Sequence, residues 1–508
     1  MDLAQQISVE LAATPSGYAV SYADEWYTWA QLGEFRDRFD ELVGPIGIDT
    51  GLRVAILLRN QPWHFASIAA TLSLRHTIVT LNPSIGDEAM AAEIHRVRPH
   101  VVVASAEDWA RPGIREAASD VAGVVPIELP AGRTPAPARV DLRARTPTIE
   151  PAAPAPEVAV EMQTSGTTGA PKRVPLSYAD LGRSLADVRR HHGDGPRRGS
   201  DSKIRGIGIL CNPPVHMSGM YGSIRALSSG RTVVLLDRFT VDAWKSAMVK
   251  HRPKVANLVP AAIRMVLDAK VDPDVLSSVR VMTTGSAPMP AELAIEFEDT
   301  YATPVLVSYG ATEFAGGIAG WTYRDYMKFG KAKRGSVGAP HPGTELRVVD
   351  PATGEAVPCG DTGVLEVRST QLMDSQSWVR TTDLATLDED GYLWIKGRAD
   401  GVIIRGGFKI WPAEVQRVLE AHPSVREASV FGIDDPRLGQ VPIAVVERSW
   451  RAAEADPDEL REHCRKSLAP YQVPARVVVL DALPRTPSLK VAQAQLRDLI
   501  ETDAEATT

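Results

Sequence analysis

The chain has 508 residues, 44% of them hydrophobic and 23% charged, with a net charge of −7 and three cysteines. This length exceeds what one hydrophobic core organises, so two or more domains are expected. The acidic balance argues against a general nucleic-acid binder, and no apolar run reaches the roughly 18 residues that a membrane span needs. The N-terminus lacks a basic and apolar leader, and the cysteines lack metal or redox spacing, so a cytoplasmic protein is expected.

Short β-branched runs alternate with helix-like segments from residue 53 to residue 308, which predicts α/β layers with parallel strands. The predicted strands are 53–58, 77–80, 101–104, 158–162, 206–211, 232–236, 255–259, 279–284 and 304–308. The predicted helices in this part are 216–228, 240–251 and 290–299. Residues 124–157 are rich in proline and alanine and are expected to form a long surface connection.

Turn signals multiply and helices thin out over residues 344–396, which predicts a β-rich subdomain. Residues 400–508 then form a compact α+β pattern of normal domain size. Its predicted helices are 412–420 and 457–468, its predicted strands are 427–433, 441–447 and 475–480, and a frayed tail is expected from residue 501. The fold class is therefore α/β, with a large N-terminal domain at 1–399 and a small C-terminal domain at 400–508.

A glycine- and hydroxyl-rich segment runs from Thr164 to Lys172 with the sequence TSGTTGAPK. Glycine backbone amides, Ser and Thr hydroxyls and a lysine together make an anion-binding nest, so the segment is typical of a phosphate loop. It differs from a Walker A loop, which ends in G-K-[ST], because Ala-Pro separates Gly169 from Lys172. The alternative is a polar turn between two strands.

Four further segments contain groups suited to a nucleotide. Tyr309-Gly310-Ala311-Thr312-Glu313 offers a ring to stack on a base, a hydroxyl for a phosphate and a carboxylate for Mg²⁺. Asp383 and Arg398 are candidates for a ribose or a phosphate, and Lys490 lies on a proline-braced turn. Each motif alone is more often ordinary structure than a site.

In this order, the motifs resemble the adenylate-forming superfamily of acyl- and aryl-CoA synthetases, peptide-synthetase adenylation domains and beetle luciferases. The resemblance extends from about Tyr27 to Lys490. It implies an enzyme that uses ATP and Mg²⁺ to convert a carboxylic acid into an acyl-adenylate and pyrophosphate. It further implies transfer of the acyl group to the co-substrate coenzyme A, as in fatty acid metabolism.

The resemblance also implies a role for each matching residue. The residues matching the loop around the β- and γ-phosphates are Thr164, Ser165, Gly166, Thr167, Thr168, Gly169 and Lys172. Gly285, Ser286 and Ala287 match a segment that passes the adenine and forms a wall of the acyl pocket, and Tyr309-Gly310 matches the adenine-stacking segment. Thr312 is implied to contact the α-phosphate and Glu313 to hold Mg²⁺.

The matching residues nearer the C-terminus imply a mobile domain. Asp383 and Arg398 match ribose-binding positions, and Lys490 matches the lysine that bridges the acid and the α-phosphate. Asp400 matches the hinge about which the C-terminal domain swings between the two half-reactions. Gly406 and Gly407 match a loop that lines the channel for the pantetheine arm, although two glycines are equally typical of a hairpin turn.

The acyl pocket is expected to take a hydrophobic acid of medium size, which is aromatic, alicyclic or fatty. Its predicted lining consists of His216, Met217, Met220, Tyr221, Gly316 and Gly317. Methionine adapts to irregular shapes, and the paired glycines leave room for a bulky group. The alternative for His216 is a structural histidine that caps the helix predicted at 216–228.

Three motif glycines of the family are replaced in this chain. Leu489 precedes the implied catalytic lysine, Thr382 precedes the ribose aspartate, and Arg173 follows the phosphate-loop lysine. Residues 371–379 are also shorter than the matching family segment. Because the implied catalytic side chains are all present, the chain is interpreted as an active, divergent member.

Three functions compete. The first is a stand-alone acyl- or aryl-CoA synthetase, and it leads because the Gly-Gly loop is intact and no carrier domain follows residue 508. The second is an adenylation enzyme that loads a carrier protein or stops at the acyl-adenylate. The third is a non-catalytic adenine-nucleotide-binding relative. The expected partners are the acid, ATP and CoA, with a homodimer left open.

Overall fold

The computed structural model describes residues 2–142, 146–164, 172–192, 206–372, 375–399, 401–406, 408–449, 455–486 and 489–505. The α-helices are α1 Leu3–Ala13, α2 Trp29–Val43, α3 Pro62–Ser73, α4 Asp87–Val97, α5 Ala106–Trp109, α6 Pro112–Ser119, α7 Tyr178–His191, α8 Met217–Ser229, α9 Val241–His251, α10 Pro260–Asp268, α11 Ala291–Tyr301, α12 Tyr323–Phe329, α13 Pro412–Glu420, α14 Pro457–Ser467 and α15 Gln493–Glu505. Short 3-10 turns cover Gly44–Ile46, Pro273–Leu276 and Thr312–Phe314.

The strands in the first half are β1 Tyr18–Tyr22, β2 Glu25–Thr28, β3 Arg53–Leu57, β4 Thr77–Leu81, β5 Val101–Ala104, β6 Val125–Glu128, β7 Ala138–Arg139, β8 Val158–Thr164, β9 Lys172–Ser177, β10 Gly208–Leu210, β11 Val233–Leu235 and β12 Val255–Asn257. The later strands are β13 Val281–Thr284, β14 Val305–Ala311, β15 Gly316–Gly320, β16 Ala339–Pro340, β17 Thr344–Val349, β18 Gly363–Ser369, β19 Val379–Leu387, β20 Leu393–Arg398, β21 Ile403–Arg405, β22 Phe408–Ile410, β23 Val425–Asp435, β24 Gly439–Arg448 and β25 Arg476–Leu480. The alternation of helices and strands confirms the α/β class expected from the sequence.

Contacts divide the chain into two compact units. Unit 1 contains residues 1–334, 341–344 and 369–375, and unit 2 contains residues 335–340, 345–368 and 376–508. The strands β18–β20 thus fall in the same unit as the C-terminal segment. The predicted boundary and hinge at Asp400 stay a prediction, since that residue lies outside the described part of the chain.

A seven-stranded sheet in the order β7-β6-β5-β3-β4-β8-β9 forms the largest layer of unit 1. Its inner strands are parallel, and β7 and β9 are antiparallel at the edges. Val54 and Ile56 of β3 face the core that includes α1–α3, whereas Ala55 and Leu57 face the core that includes α4 and α6. Since side chains alternate along a strand, a parallel sheet covered on both faces needs this continuous apolar run.

Two smaller sheets complete unit 1. One runs β10-β11-β1-β2, and the other contains β12-β13-β14-β15. In the second sheet, β12, β13 and β14 are parallel, and β15 returns antiparallel to β14 with a bulge between Tyr309 and Gly310. The carboxyl ends of β13 and β14 therefore lie side by side, which is where ligands bind in open α/β sheets.

Unit 2 contains two sheets. One has the order β17-β18-β19-β20, and the other has the order β22-β21-β24-β23, with β25 paired to β24. Along β24, Ala444 and Val446 pack with α13 and α14, while Ile443 and Val445 pack with α15. Trp411, just before α13, packs on the cluster of the first sheet.

Two expectations were wrong. Within the predicted surface connection 124–157, β6 joins the central sheet with Val125 and Ile127 buried, and β7 pairs with β6. The expected frayed tail is helical as far as Glu505, because α15 is held by the buried Leu496 and Ile500. None of the described helices is long and apolar enough to cross a membrane.

Arg173, which replaces a family glycine, anchors the hairpin formed by β8 and β9. Its guanidinium donates to Glu93 at 2.9 Å, to the Thr80 carbonyl at 3.2 Å and to the Glu161 carbonyl at 3.4 Å. Only 11% of the Arg173 side chain and 16% of the Glu93 side chain are exposed. The pair therefore fixes the edge strand that leaves the predicted phosphate loop.

We expect Arg173→Ala to lower the free energy of unfolding of unit 1 by about 2 kcal/mol, because this buried guanidinium bonds the Thr80 and Glu161 carbonyls as well as Glu93. Arg96→Ala is the matched control, since Arg96 also donates to Glu93, at 2.7 Å, but is 43% exposed. Its cost should stay below about 1 kcal/mol. Denaturant titration measures both, and equal losses would contradict the anchoring role.

Candidate active site

The ends of the predicted phosphate loop are held together. Thr164 and Lys172 lie opposite each other across β8 and β9. Ser165, Gly166, Thr167, Thr168 and Gly169 lie outside the described residues. Strand β9 contacts the 3-10 turn Thr312–Phe314, so the loop begins and ends beside the segment predicted to bind the α-phosphate and Mg²⁺.

The Tyr309–Glu313 segment forms the end of β14 and the turn after it. Tyr309 is half-buried opposite Ala319 of β15. The turn is closed by the Ala315 amide, which donates to the Thr312 carbonyl at 3.0 Å, and it leaves Glu313 exposed. No group of three or more potential metal ligands occurs among the described residues, so Glu313 would hold Mg²⁺ only together with phosphate oxygens and water, as Mg²⁺ favours.

Gly285, Ser286 and Ala287 follow β13 at the same sheet edge. Ser286 adopts a left-handed backbone with φ of 67°, a conformation uncommon for a residue with a side chain and often found at functional sites. A Cβ on Gly285 would lie 2.8 Å from Ser308 Oγ, so this segment passes directly over β14. The predicted adenine and acyl-wall segments thus lie side by side.

The predicted acyl-pocket residues meet around β15. Helices α7 and α8 both contact this strand. Gly316 has a φ of 141°, and a Cβ there would lie 2.8 Å from Tyr221 Cε2 and 2.6 Å from Ser184 Oγ. The Tyr221 hydroxyl is 3.1 Å from Ser184 Oγ, and burial raises the pKa of Tyr221, so the phenol stays protonated.

The remaining predicted pocket residues differ in exposure. Met217 is half-buried, whereas Met220 is fully buried in the hydrophobic core of unit 1. His216 occupies the N-cap position of α8, but its side chain makes no capping hydrogen bond. Gly317 faces His341, with a notional Cβ 3.3 Å from His341 Cε1.

Sequence reasoning expected the pocket to draw on residues 212–222, 285–287 and 308–317, which include the exposed Ser308 next to Tyr309. It missed Ser184, His341 and Gln371 at this place. His341 and Gln371 belong to two short segments that return to unit 1 from within the sequence of unit 2. No local pattern predicts such a return.

The predicted ribose residues are neighbours in unit 2. Asp383 of β19 lies opposite Arg398 of β20 in the antiparallel register. The Asp383 amide donates to Thr381 Oγ1 at 3.0 Å. Thr382 lies within β19 where the pairing with β18 shifts register. Its backbone is not left-handed, so a side chain is accommodated there.

Lys490 follows a tight turn in unit 2. The Thr486 amide donates to the Lys490 carbonyl at 2.8 Å, and the Lys490 amide donates to Thr486 Oγ1 at 3.2 Å. Leu489 has a φ of 62°, which is the left-handed conformation that glycine adopts easily. Arg485 supports the turn by donating to the Leu489 carbonyl at 3.3 Å.

Arg485 is itself held by two carboxylates of the sheet. It donates to Glu427 of β23 at 2.5 Å and to Glu447 of β24 at 3.1 Å, and Glu447 is 1% exposed. These charge-assisted bonds are stronger than neutral ones, so Arg485, at the start of the turn before Lys490, is fixed to the sheet.

Gly406 lies in the two-residue turn between β21 and β22, with a φ of 57°. Its amide donates to the Leu438 carbonyl at 2.7 Å. Gly407 lies outside the described residues. Strands β21 and β22 pair antiparallel on either side, which agrees with the hairpin alternative at Gly406, and the pantetheine role stays a prediction.

Within unit 1 the structure brings together the ends of the predicted phosphate loop, the turn Thr312–Phe314, the Gly285 segment, and Tyr221 with Gly316 of the predicted acyl pocket. Met217 packs against the hydrophobic core and Met220 lies within it, so the pocket positions of these two residues and of His216 stay predictions. Within unit 2 it brings Asp383 to Arg398 and places Lys490 on a braced turn. The functional roles assigned to these residues stay predictions.

Two family descriptions match the chain. Residues 8–375 match the AMP-binding enzyme family, and residues 414–490 match the AMP-binding enzyme C-terminal domain. The chain is 30% identical over 522 residues to an indoleacetate–CoA ligase of Aromatoleum aromaticum, covering 98% of each chain. It is 29% identical over 500 residues to a 2-succinylbenzoate–CoA ligase of Bacillus pumilus, covering 95% of each.

A solved structure shows the same fold. O-succinylbenzoate coenzyme A synthetase from Bacillus subtilis, in complex with ATP and magnesium ion, aligns with a TM-score of 0.78 at 26% identity, covering 97% of this chain and 99% of that one. With the site geometry and the family match over most of its length, the chain belongs to the adenylate-forming family of AMP-binding enzymes.

Proposed function

We propose that the protein activates a carboxylic acid with ATP and transfers the acyl group to coenzyme A. The enzyme is an AMP-forming acid–thiol ligase that uses Mg²⁺. Full-length relatives named as CoA ligases for indoleacetate and 2-succinylbenzoate support this reaction type. The acid taken by this chain is proposed to be aromatic, alicyclic or fatty and of medium size. A cytoplasmic location and a homodimer stay predictions.

One observation carries the proposal: three predicted segments converge at one edge of a sheet in unit 1. The strand after the phosphate loop contacts the turn Thr312–Phe314, and Gly285 lies against Ser308, just before Tyr309. Tyr221 lies against Gly316 on the next strand. This convergence supports the proposal that the phosphates of a nucleotide and the acid bind next to each other.

The chemistry requires this proximity. A carboxylate oxygen attacks the α-phosphorus, the bond to the β-phosphate bridging oxygen breaks, and pyrophosphate leaves. The thiol of CoA then attacks the acyl carbonyl, losing its proton, and AMP leaves. Holding the two reactants in line is worth roughly 7–11 kcal/mol at best, and little proton transfer is needed in the first step.

Two anions meet in the first step, so positive charge is needed around them. Lys172 and Lys490 provide ammonium groups in the proposed roles, and Thr312 provides a hydroxyl donor. Mg²⁺, held by Glu313, supplies neutralisation of phosphate charge when bound. The role of Lys490 rests on the family resemblance of its motif.

Pyrophosphate release from ATP, measured over a panel of carboxylic acids with and without CoA, tests the proposal. Acyl-CoA formed only when CoA is present is the expected result. Acyl-adenylate that accumulates whether or not CoA is added would instead favour the carrier-loading or adenylate-forming alternative. ATP binding without pyrophosphate release for any acid would favour a non-catalytic relative.

Lys490→Ala should abolish acid-dependent pyrophosphate release while leaving thioester formation from supplied acyl-adenylate largely intact. The reason is that the ammonium is needed where charge develops in the first step only. Rapid-quench measurement of each half-reaction separates the two. Arg497→Ala is a control, since that side chain bonds the Gly432 carbonyl outside the lysine turn. Equal loss of both half-reactions in Lys490→Ala would contradict the proposal that Lys490 acts in adenylate formation only.

Leu489→Gly and Leu489→Ala differ only in whether the left-handed backbone is strained. The glycine variant should be more stable than the alanine variant by about 1 kcal/mol, because only glycine adopts this conformation without a steric cost. Thermal unfolding monitored in parallel for the two variants measures the difference. An alanine variant as stable as the glycine variant would show that the turn relaxes to another conformation.

A further inference from the structure

A cluster of three polar side chains lies beside the predicted acyl pocket. We call it the distal polar cluster and define it as His191, His341 and Gln371. His341 lies against Gly317 and Gly320, with its Nε2 3.1 Å from a notional Cβ on Gly320. Gln371 donates from Nε2 to the Gly317 carbonyl at 3.3 Å. The cluster therefore touches the strand that forms the predicted pocket wall.

The members of the cluster are held in place. His191 Nε2 is 3.1 Å from the Gly320 carbonyl, and the rings of His191 and His341 lie 4.4 Å apart between centroids. The His341 amide donates to the Ile318 carbonyl at 2.8 Å. Backbone and ring contacts thus fix both residues against β15.

Two polar atoms of the cluster are buried without a hydrogen-bond partner among the described residues. They are His341 Nδ1 and Gln371 Oε1. His341 is 4% exposed and Gln371 is fully buried. Leaving such atoms unpaired is costly, so a native protein normally satisfies them with a water or a ligand.

The cluster favours a neutral ligand group. Burial, reinforced by the nearby His191 and His192, lowers the pKa of His341 to about 3, and no described carboxylate is among the groups that shift it. The imidazole is therefore neutral near pH 7. A neutral imidazole nitrogen either donates or accepts, whereas the amide oxygen of Gln371 only accepts.

We infer that His341 and Gln371 form the polar end of the acyl site and bind a hydroxyl group that the carboxylic acid carries at its far end. Both side chains contact Gly317, so a hydroxyl near that residue would donate to Gln371 Oε1 and accept from His341 in its Nδ1–H tautomer, which satisfies both atoms. The apolar contacts of Met217 and Tyr221 then surround the body of the acid, as in most small-molecule sites. This inference rests on the proposed function and narrows its substrate to hydroxylated acids.

Matched pairs of acids test the inference, for example phenylacetate with 4-hydroxyphenylacetate and cyclohexanecarboxylate with its hydroxylated form. Acid-dependent pyrophosphate release gives kcat/KM for each, and the measured quantity is the hydroxy-to-deoxy ratio. In the wild type, we expect at least one pair to give a ratio of about tenfold or more, because a deoxy acid leaves the buried atoms unpaired. His341→Leu and Gln371→Met should each bring that ratio down towards one.

Two further variants separate recognition from structure. His341→Asn keeps a polar nitrogen near the position of Nδ1 and should restore most of the ratio. His64→Leu is the matched control, because His64 is 2% exposed with both ring nitrogens lacking a described hydrogen-bond partner, and it lies outside the predicted pocket. It should leave the ratio unchanged even where it lowers the melting temperature.

The outcomes are distinguishable. A wild type that activates acids with a ratio near one for every pair, or variants that slow both members of a pair equally, would overturn the inference and point to a structural water. If His341→Leu does not fold, the ratio in Gln371→Met decides in the same way. A wild type that activates no acid at all would contradict the proposed function, and this inference with it.

Discussion

The close approach of β14 and β15 is the constraint on which the proposed site depends. Gly310 lies opposite Gly317 there, and a Cβ on Gly310 would collide with the Gly316 carbonyl oxygen. Because the two strands come so near, Tyr221 and Ser184 reach Gly316 from one side and His341 reaches Gly317 from another. The turn with Thr312 and Glu313 joins the same two strands, so the predicted phosphate and acid sites share one short hairpin.

Much of this arrangement is predictable from local pattern. Parallel strands such as 77–80 and 101–104 were found because buried strands need continuous β-branched runs, and their ends mark the ligand edge. The predicted phosphate loop, Tyr309–Glu313 and Lys490 stand out in the sequence because their residue types are unusual together, and their roles stay predictions. Strand β6 was missed because proline and alanine mask a pattern of only four residues.

Features made by distant segments were not predictable in this way. His341 and Gln371 return to unit 1 from a stretch whose other residues belong to unit 2, and no periodicity encodes that return. The three replaced glycines were recognised, but their consequences needed the backbone. Arg173 bonds Glu93, Thr382 lies at a register shift within β19, and of the three only Leu489 has a left-handed conformation.

The bracing of Arg485 has a mechanical consequence. Glu427 and Glu447 lie on the adjacent strands β23 and β24, and both bind this guanidinium. The residue at the start of the turn before Lys490 is therefore fixed to two strands of the sheet. The same guanidinium bonds the Leu489 carbonyl, so the residue directly before Lys490 is tied to both strands as well. Any displacement of these strands therefore displaces the backbone beside Lys490 with them.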